Sequence, residues 1–518
     1  MILHDRRGQP ATTRIGGRAT LDELLRRAAQ RRPNAIALID PPNRENFTDG
    51  EPRRLTYAQA DRMVSAIAGR LRRIGLNTDA IVGVQLANTV DAVLTLLGIL
   101  RAGLIAMPLP LLWRRAEMAA ALSRVSASAL IVTGRVGATS HFDLAMNVAA
   151  EIFPIRYVCG FGRGAPDGII PLDDLYTAQR LDPLPSLAAE RAGEPGPGAH
   201  LAVISWDLTA DGLVPVARNH AELIAGGLGV LLESRMTQDA VILSTMMTSS
   251  FAGLAVAVVP WLLSAGSLAL HQPFDAEAFM IQRQTVGPDT VIVPGPVIGP
   301  LAESGHLGAD HGLKSLIGVW RAPERLMHAP AWHDTRVRMT DVPVFGETGL
   351  IAACRSQSGK PAAIPLGLVF APRAPKGTVV VADIAATPAG TVALRGPMVP
   401  RVAFPPGAER GSLPYFKAAA SGFVDTGFTC VAEGPVMGIT GAPSGIVGIG
   451  GYRFVAKDLQ ALVGRAGNGT LAILPDALTG HRLAGTAGEG QAGRAALAAL
   501  GSNPLLVGAF SDHPGPNA

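Results

Sequence analysis

The chain has 518 residues, of which 48% are hydrophobic and 17% charged, and this composition indicates a folded protein of two or three domains rather than a disordered one. Its formal net charge is only +4 and its arginines are scattered, which excludes the clustered basic face of a nucleic-acid-binding protein. The cysteines Cys159, Cys354 and Cys430 lie far apart, which excludes a cysteine-rich metal site and favours a reducing compartment.

The N-terminal residues contain no apolar segment typical of a secretory signal, so we expect a cytoplasmic protein. One uncharged run, residues 240–270, is long enough to be weighed as a membrane span. Its Ser- and Thr-rich start, Pro260 and Gly266 favour a buried helix followed by a buried strand. We therefore expect no membrane span.

Apolar periodicity predicts alternating helices and strands in the N-terminal part of the chain. Thr20, with Glu23 three residues later, predicts a capping box at the start of the first helix. The elements that follow are predicted as helix 58–74, strand 81–86, helix 89–101, strand 105–108, helix 114–125 and strand 129–133. Such alternation predicts a parallel sheet that is covered by helices on both faces.

A proline-rich stretch, residues 182–200, is predicted to be a linker. After it, residues 201–220 have the outline of a phosphate-binding loop. An apolar strand (201–204) leads into a turn of small and polar residues, and a helix begins near Asn219. The lysine that would offset the charge of a bound phosphate is absent, because the first lysine of the chain is Lys314.

Three segments together resemble a known family: LTYAQADRMVSAIAGRLRRIGL (55–76), IVGVQLANTVDAVLTLLGILRAGLIAMPLP (81–110) and ALSRVSASALIVTG (121–134). They are similar, in order and spacing, to the N-terminal portion of the adenylate-forming family. That family contains AMP-dependent acyl- and aryl-CoA synthetases, adenylation domains that load carrier proteins, and luciferases. With later matching segments, the resemblance covers roughly residues 18–480.

The resemblance implies an α/β fold. A large N-terminal portion of several subdomains (1–440) would have parallel-rich sheets covered by helices, and a small, truncated α+β C-terminal domain (441–518) would follow. In such proteins a carboxylic acid and ATP form an acyl-adenylate, and a thiol of CoA or of a carrier protein then takes the acyl group.

In the family, the phosphate loop is a Ser/Thr- and Gly-rich run that ends in Pro-Lys-Gly and is followed by a His. Thr209, Gly212 and His220 match this run, but the lysine position falls on an apolar residue, Val214 or Val216. The nearby Asp207 and Asp211 would repel a phosphate. We therefore interpret the segment as a structural turn that retains the shape of the family's loop.

The stretch Phe345-Gly346-Glu347-Thr348-Gly349 resembles the family's aromatic-Gly-x-Thr-Glu motif, whose aromatic ring stacks on adenine and whose Glu helps to hold Mg²⁺. Phe345, Gly346 and Thr348 match, but Gly349 stands where the carboxylate belongs. Glu347 could replace that carboxylate only if the backbone shifted, because neighbouring residues of an extended segment point in opposite directions.

Three further motifs have lost their charged residue. Thr426-Gly427-Phe428 resembles Thr-Gly-Asp, in which the Asp binds the ribose hydroxyls, and Asp425 is expected to face elsewhere. The hinge segment 441–445 lacks the family's Arg and Asp. Lys457 is the last lysine of the chain, so the lysine that contacts the carboxylate during adenylation is expected to be missing.

Other candidate residues have simpler interpretations. Ser249 and Ser250 stand where the family often has a pocket-lining His, and we interpret them as helix N-caps. Four histidines have no metal-ligand spacing, so we predict no metal site at His306, His311, His328 and His333. No residue is singled out as catalytic.

The leading hypothesis is a degenerate member of the family whose ATP-dependent adenylation is lost or impaired, because electrostatic groups dominate such chemistry. It would bind an acyl or aryl carboxylate, or act with a carrier protein or pathway enzyme as a partner subunit. Neither a metal nor a certain cofactor is expected. The vestigial ATP/AMP site would consist of Thr209, Gly212, His220, Phe345, Gly346, Glu347 and Thr348.

Two alternatives stay open. In the first, the chain is an active acyl- or aryl-CoA, or carrier-protein, ligase with a rearranged ATP site. Arg218 or Arg321 would then replace the missing lysine, Glu347 would replace the missing carboxylate, and ATP or AMP and Mg²⁺ would bind. In the second, the chain is a subunit of a hetero-complex with an apolar surface patch.

Overall fold

The computed structural model describes residues 3–4, 10–11, 19–177, 196–309, 312–372, 379–466, 470–486 and 490–510. Of the predicted linker, residues 182–195 lie outside the described residues. The chain folds into α/β layers, with two large parallel-rich sheets followed by an antiparallel sheet and a small C-terminal sheet. This is the predicted fold class.

The first sheet has seven strands, and all its neighbours are parallel except the last pair. Its strands are, in spatial order, Ile169–Pro171, Tyr157–Phe161, Ala129–Thr133, Ile81–Gln85, Ile105–Pro108, Leu201–Thr209 and Gly212–Asn219. The central strands are buried along their whole length, as expected for strands covered on both faces.

The second sheet has nine strands and a parallel centre. Its strands are, in spatial order, Gly349–Leu350, Arg338–Phe345, Ser315–Trp320, Thr290–Pro294, Val241–Ser244, Ser267–Leu270, Ile36–Ile39 and Arg54–Thr56, and Ala353–Cys354 pairs with Arg338–Phe345 off this path. One end of its parallel strands therefore carries residues 345–350, and the other end carries residues 289–290, 314–315 and 337–338.

Two smaller sheets complete the main layers. An antiparallel six-stranded sheet contains, in spatial order, Ile364–Pro365, Val436–Gly441, Val424–Glu433, Thr391–Arg395, Val380–Ala386 and Gly367–Phe370. A four-stranded sheet contains Tyr452–Val455, Ile446–Ile449, Gly480–Thr486 and Thr470–Asp476. Short two-stranded ribbons pair Leu3–His4 with Pro10–Ala11 and Arg135–Val136 with Thr139–Ser140. The predicted domain boundary at residue 440 stays a prediction.

The helices cover the sheets and fill the spaces between them. The described α-helices are Leu21–Arg31, Arg44–Phe47, Tyr57–Arg73, Val90–Arg101, Arg115–Arg124, His141–Glu151, Asp174–Thr177, His220–Glu233, Phe251–Gly253, Val259–Ser264, Ala276–Val286, Ile298–Glu303, Ala456–Ala466, Gly490–Ala499 and Pro504–Gly508. A π-helical turn, Leu254–Val258, joins the two halves of the helix between residues 251 and 264, and short 3₁₀ turns cover Pro197–Ala199, Gly295–Val297, Pro323–His328 and Ala408–Arg410.

Most predicted N-terminal elements are confirmed to within one or two residues. The first helix is capped by Thr20, whose hydroxyl accepts a hydrogen bond from the Glu23 N–H at 3.1 Å. The carboxylate of Glu23, however, pairs with Arg27 at 3.0 Å. A full capping box occurs instead at the next long helix, between Thr56 and Gln59.

The uncharged run 240–270 forms a buried helix and then a buried strand, as predicted. In the described part of the chain, no helix is long and apolar enough to cross a membrane. Gly266 allows the helix-to-strand connection to pass close to its neighbour, since a Cβ there would lie 1.9 Å from the carbonyl oxygen of Ala240. The connection therefore requires glycine.

A buried histidine in the first sheet should make stability depend on pH. His141 is 1% exposed, and its Nδ1 lies 2.9 Å from the Gln85 Oε1. Burial, with a smaller effect of Arg114, lowers the pKa of His141 from 6.5 to about 4. Between these pH values the unfolded chain binds more protons at this histidine than the folded protein does. The stability that depends on neutral His141 is therefore fully present above pH 6.5 and is lost as the pH falls toward 4.

When the pH falls from 7 to 4, we expect the free energy of unfolding of the wild type to fall by roughly 3 kcal/mol more than that of His141→Asn. This value is the energy equivalent of the pKa change. Urea unfolding of the two proteins at both pH values measures it. His328→Asn, which replaces an exposed histidine, is unfolded under the same conditions as the control. The prediction would be contradicted if the wild type and His141→Asn differed in unfolding free energy by the same amount at both pH values.

Candidate functional site

The segment with the outline of a phosphate-binding loop is a tight β-hairpin. Leu201–Thr209 pairs antiparallel with Gly212–Asn219, and Thr209 stands directly opposite Gly212. The first strand thus runs to Thr209 rather than ending at the predicted residue 204. The Thr209 hydroxyl donates to the Gly212 carbonyl at 3.2 Å and accepts from the Asp211 N–H at 3.3 Å. These groups satisfy one another within the turn, whereas a phosphate cradle presents free N–H groups.

Asp207, on the first strand of the hairpin, forms hydrogen bonds with two distant parts of the chain. Its Oδ1 accepts from Arg453 Nη1 at 2.7 Å, and its Oδ2 accepts from the Glu347 N–H at 2.8 Å. Both charged side chains are more than four-fifths buried. Gly346, at φ +60°, permits this approach, since a Cβ there would lie 2.3 Å from Asp207 Oδ2. The hairpin, the 345–349 motif and the C-terminal sheet therefore meet at one carboxylate.

Glu347 is directed into the protein. Its Oε2 accepts from the Phe251 N–H at 2.8 Å, and the residue is 7% exposed. Burial raises the pKa of this carboxyl, and the positive charges of Arg218 and Arg321 oppose that rise. The described residues contain no group of three or more potential metal-binding side chains.

Arg218 makes several contacts inside the protein, but its Nη1 has no hydrogen-bond partner among the described residues. Its side chain is fully buried, and burial lowers the pKa of Arg218 to about 10. The guanidinium donates to the carbonyl oxygens of Glu347, Thr348 and Met398, the last two at 3.0 and 3.4 Å. It also stacks 3.8 Å above the ring of Phe251. The guanidinium thus bridges the second strand of the hairpin and the 345–349 motif.

Arg321 bridges to the C-terminal sheet. It donates to the Gly451 carbonyl at 2.9 Å and to the hydroxyl of Ser250. Ser250 in turn caps the helical turn Phe251–Gly253 by accepting from the Gly253 N–H at 3.3 Å, which confirms its predicted capping role. Both arginines that the active-ligase alternative requires are therefore engaged by neighbouring protein atoms.

The ring expected to stack on adenine packs instead against another side chain. Phe345 is 1% exposed, and Phe428 meets it edge to face at a centroid distance of 5.7 Å. The guanidinium of Arg453 lies 5.2 Å from the Phe428 ring. Asp425 faces elsewhere, as predicted, and accepts from the Gly427 N–H at 2.9 Å. Phe428 thus fills space beside Phe345 where the family resemblance places an aspartate.

His220 lies at the start of the helix that follows the hairpin. It is 2% exposed, and its Nδ1 accepts from the Leu21 N–H at 3.3 Å. Asn219 caps the same helix through a reciprocal pair of hydrogen bonds with Glu222. His220 therefore packs the first helix of the chain against this one.

The structure brings together Phe345, Gly346, Glu347 and Thr348 but leaves Thr209 and Gly212 in the turn and His220 against the first helix. Sequence reasoning gave Arg453 no role in the site, although this residue binds Asp207. Its partner Asp207 is 246 positions away, so no local pattern could reveal the pair.

Comparisons with known proteins agree with this fold. The sequence model of the family described as AMP-binding enzyme matches residues 25–156. The 2-hydroxy-7-methoxy-5-methyl-1-naphthoate–CoA ligase of Streptomyces carzinostaticus is 26% identical over 306 residues, which are 58% of this chain and 53% of that protein. Tyrocidine synthase 2 of Brevibacillus parabrevis is 26% identical over 171 residues, 29% of this chain and 4% of that one. The matched part spans about half the length of the first relative.

Two solved structures have the same fold. The amide bond synthetase McbA from Marinactinospora thermotolerans superposes with a TM-score of 0.69 at 15% identity, covering 94% of each chain. The o-succinylbenzoate CoA synthetase of Bacillus subtilis superposes with a TM-score of 0.65 at 12% identity, covering 89% of this chain and 87% of that one. The chain therefore has the fold of these two proteins, and its residues 25–156 are similar to the AMP-binding enzyme family.

Proposed function

We propose that this chain is a degenerate adenylate-forming protein that does not carry out ATP-dependent adenylation. One observation carries the proposal: the chain's own side chains occupy the region where the family resemblance places the nucleotide. Arg453 binds Asp207 on the hairpin, and Phe428 packs against Phe345. An adenine ring could stack on Phe345 only if Phe428 moved, and phosphates would meet the carboxylate of Asp207.

The geometry disfavours the active-ligase alternative, because its replacement groups are already bound within the protein. Arg218 would have to leave three carbonyl oxygens, and Glu347 the Phe251 N–H, before either could hold ATP or Mg²⁺. Leaving buried carbonyl and N–H groups unpaired costs about 1–3 kcal/mol for each group. Such a rearrangement would consume much of the binding energy of a nucleotide.

The packing also favours a partner subunit over an acyl-binding protein. The segment that the resemblance assigns to the acyl pocket contains Phe251, whose ring is 1% exposed. The neighbouring helix packs closely against this segment at Gly226 and Gly227. A Cβ added at Gly226 would lie 2.6 Å from Phe251, and one added at Gly227 would lie 2.3 Å from Val259. We infer a cytoplasmic scaffold that acts with a pathway enzyme or carrier protein, a location with which its three free cysteines are consistent.

Calorimetric titration with ATP and Mg²⁺, together with an ATP–pyrophosphate exchange assay on a panel of carboxylic acids, tests the proposal. We expect no Mg²⁺-dependent binding at the former nucleotide site and no exchange. The matched variant Phe345→Leu keeps the position apolar but removes the aromatic ring, and in the titration it should behave as the wild type does. Micromolar binding, about −8 kcal/mol, that requires Mg²⁺ and is weakened by Phe345→Leu would overturn the proposal.

A further inference from the structure

A cavity of about 690 Å³ opens at the end of the second sheet opposite the former nucleotide site. It lies at the N-terminal ends of Thr290–Pro294, Ser315–Trp320 and Arg338–Phe345, whereas Phe345 stands at the far end of the last of these strands. Its volume is within the range of small-molecule binding sites. The cavity is therefore separate from the site described above.

Polar side chains stand in one row across the cavity. Thr290, Ser315 and Arg338 are register partners on three adjacent parallel strands, so their side chains leave the sheet on the same face. Ser315 is 5% exposed, and its hydroxyl has no hydrogen-bond partner among the described residues. The row thus offers hydroxyl and guanidinium groups from three strands.

The charge of the cavity is positive after its internal pairs are removed. Among its lining cations, Arg336 pairs with Asp334 at 3.1 Å, and Arg355 pairs with Asp341 at 2.7 Å. Three lining cations, Arg235, Lys314 and Arg338, make no ion pair within the part of the chain that the structure describes. The one remaining carboxylate of the lining is Asp289, whose Oδ1 accepts from the Thr290 hydroxyl at 2.9 Å.

We propose that this cavity binds a phosphate-bearing small molecule, with Lys314 and Arg338 as the main phosphate-binding residues. Guanidinium and ammonium groups form charge-assisted hydrogen bonds with phosphate oxygens, and Arg can do so with two N–H groups at once. Trp332 also lines the cavity and could contact the organic part of the ligand. The proposal does not depend on the state of the former nucleotide site.

Cys354 provides a reporter inside the cavity. It lines the same space and is half-buried, whereas Cys159 and Cys430 are buried. Burial raises the pKa of the Cys354 thiol, and the adjacent Arg338 partly opposes this rise. Its rate of alkylation by the neutral reagent N-ethylmaleimide at pH 8, followed by mass spectrometry of the labelled peptide, therefore reports whether the cavity is occupied.

We expect inorganic phosphate, at about ten times its dissociation constant, to slow this alkylation roughly tenfold, whereas sodium chloride of equal ionic strength does not. Lys314→Gln and Arg338→Gln should each raise the dissociation constant for phosphate about tenfold, so that the same phosphate concentration slows alkylation only about twofold. The exposed surface arginine Arg163 provides the matched control, since Arg163→Gln should leave protection unchanged. If Arg338→Gln is unstable, Arg338→Lys keeps the charge and should retain partial protection.

Two related probes distinguish the sources of the phosphate. Equal protection by inorganic phosphate and adenosine 5′-monophosphate would assign the site to phosphate alone, and stronger protection by the nucleotide would assign it to a phosphate monoester. Either result should persist in Phe345→Leu, which separates this site from the former nucleotide site. Protection by adenosine without phosphate, or no protection beyond that of sodium chloride, would overturn the proposal.

Discussion

Arg218→Met should lower the free energy of unfolding by about 3–5 kcal/mol, because breaking a buried charge cluster leaves its other members uncompensated. Methionine has a similar length and stays apolar, so the cavity term is small. The carbonyls of Glu347 and Thr348 would lose their donor, and the buried Glu347 carboxylate would lose one of its two neighbouring positive charges. Urea unfolding followed by tryptophan fluorescence measures the loss.

The matched control for Arg218 is an exposed arginine. Arg27→Met removes only a surface ion pair within one helix and should cost less than about 0.5 kcal/mol. A double variant, Arg218→Met with Glu347→Gln, also removes the carboxylate that Arg218 faces and should recover part of the loss. If Arg218→Met costs no more than Arg27→Met, then Arg218 does not hold the hairpin and the 345–349 motif together.

If the chain does not carry out adenylation, as proposed, the stability of the site explains how it persists. In an active site, charged groups are poised toward a ligand, and their poor internal pairing reduces stability. Here the corresponding region contains charges that bind one another, such as Asp207 with Arg453. Its polar groups therefore stabilise the fold, and we expect substitutions in it to affect stability before any activity.

Sequence patterns predicted the framework well because that framework depends on local rules. The strands at residues 105–108 and 129–133 agree with the structure to the residue, since apolar runs of that length between helices have few other solutions. The start of a helix near Asn219 was equally predictable, because the cap that Asn219 forms requires only its own helix. Fold class follows from such elements in order.

The contacts between side chains in the candidate site could not be predicted in the same way. Phe428 was recognised as a missing aspartate, but its packing against Phe345 depends on how the six-stranded sheet meets the second sheet. The segment also differs from the predicted strand, turn and helix, because its two strands pair as far as Thr209 and Gly212. Such features depend on contacts between segments far apart in sequence, which periodicity and spacing do not contain.

The second large loss of stability is expected at a buried charge cluster formed by Asp40, Arg44, Arg53 and Asp91. Arg44, with 3% of its side chain exposed, binds Asp40 at 2.5 Å and also binds Asp91. Arg53 contacts Asp91 at 3.0 Å, and the hydroxyl of Tyr176 donates to the same carboxylate at 2.5 Å. The two carboxylates thus share two guanidinium groups within the protein.

Arg44→Met should lower the free energy of unfolding by about 3–5 kcal/mol at neutral pH, because Asp40 would lose its ion-pair partner. Burial already raises the pKa of Asp40, the charge of Arg44 opposes that rise, and removing Arg44 raises the pKa further. A folded-state pKa above the unfolded value means that the folded state binds more protons, so the stability of the variant falls as the pH rises. Urea unfolding at pH 5 and pH 8 should therefore show a smaller deficit at pH 5.

Replacing Asp40 tests this mechanism directly. Asp40→Asn removes the charge whose protonation causes the pH dependence but keeps an oxygen that can accept from the Val90 N–H, which is 2.7 Å from Asp40 Oδ1 in the wild type. The double variant, Arg44→Met with Asp40→Asn, should thus be more stable at pH 8 than Arg44→Met alone, and its difference in unfolding free energy from Asp40→Asn should not depend on pH. If Arg44→Met instead loses the same unfolding free energy at pH 5 and pH 8, the arginine stabilises the protein through packing, because a packing contribution does not depend on pH.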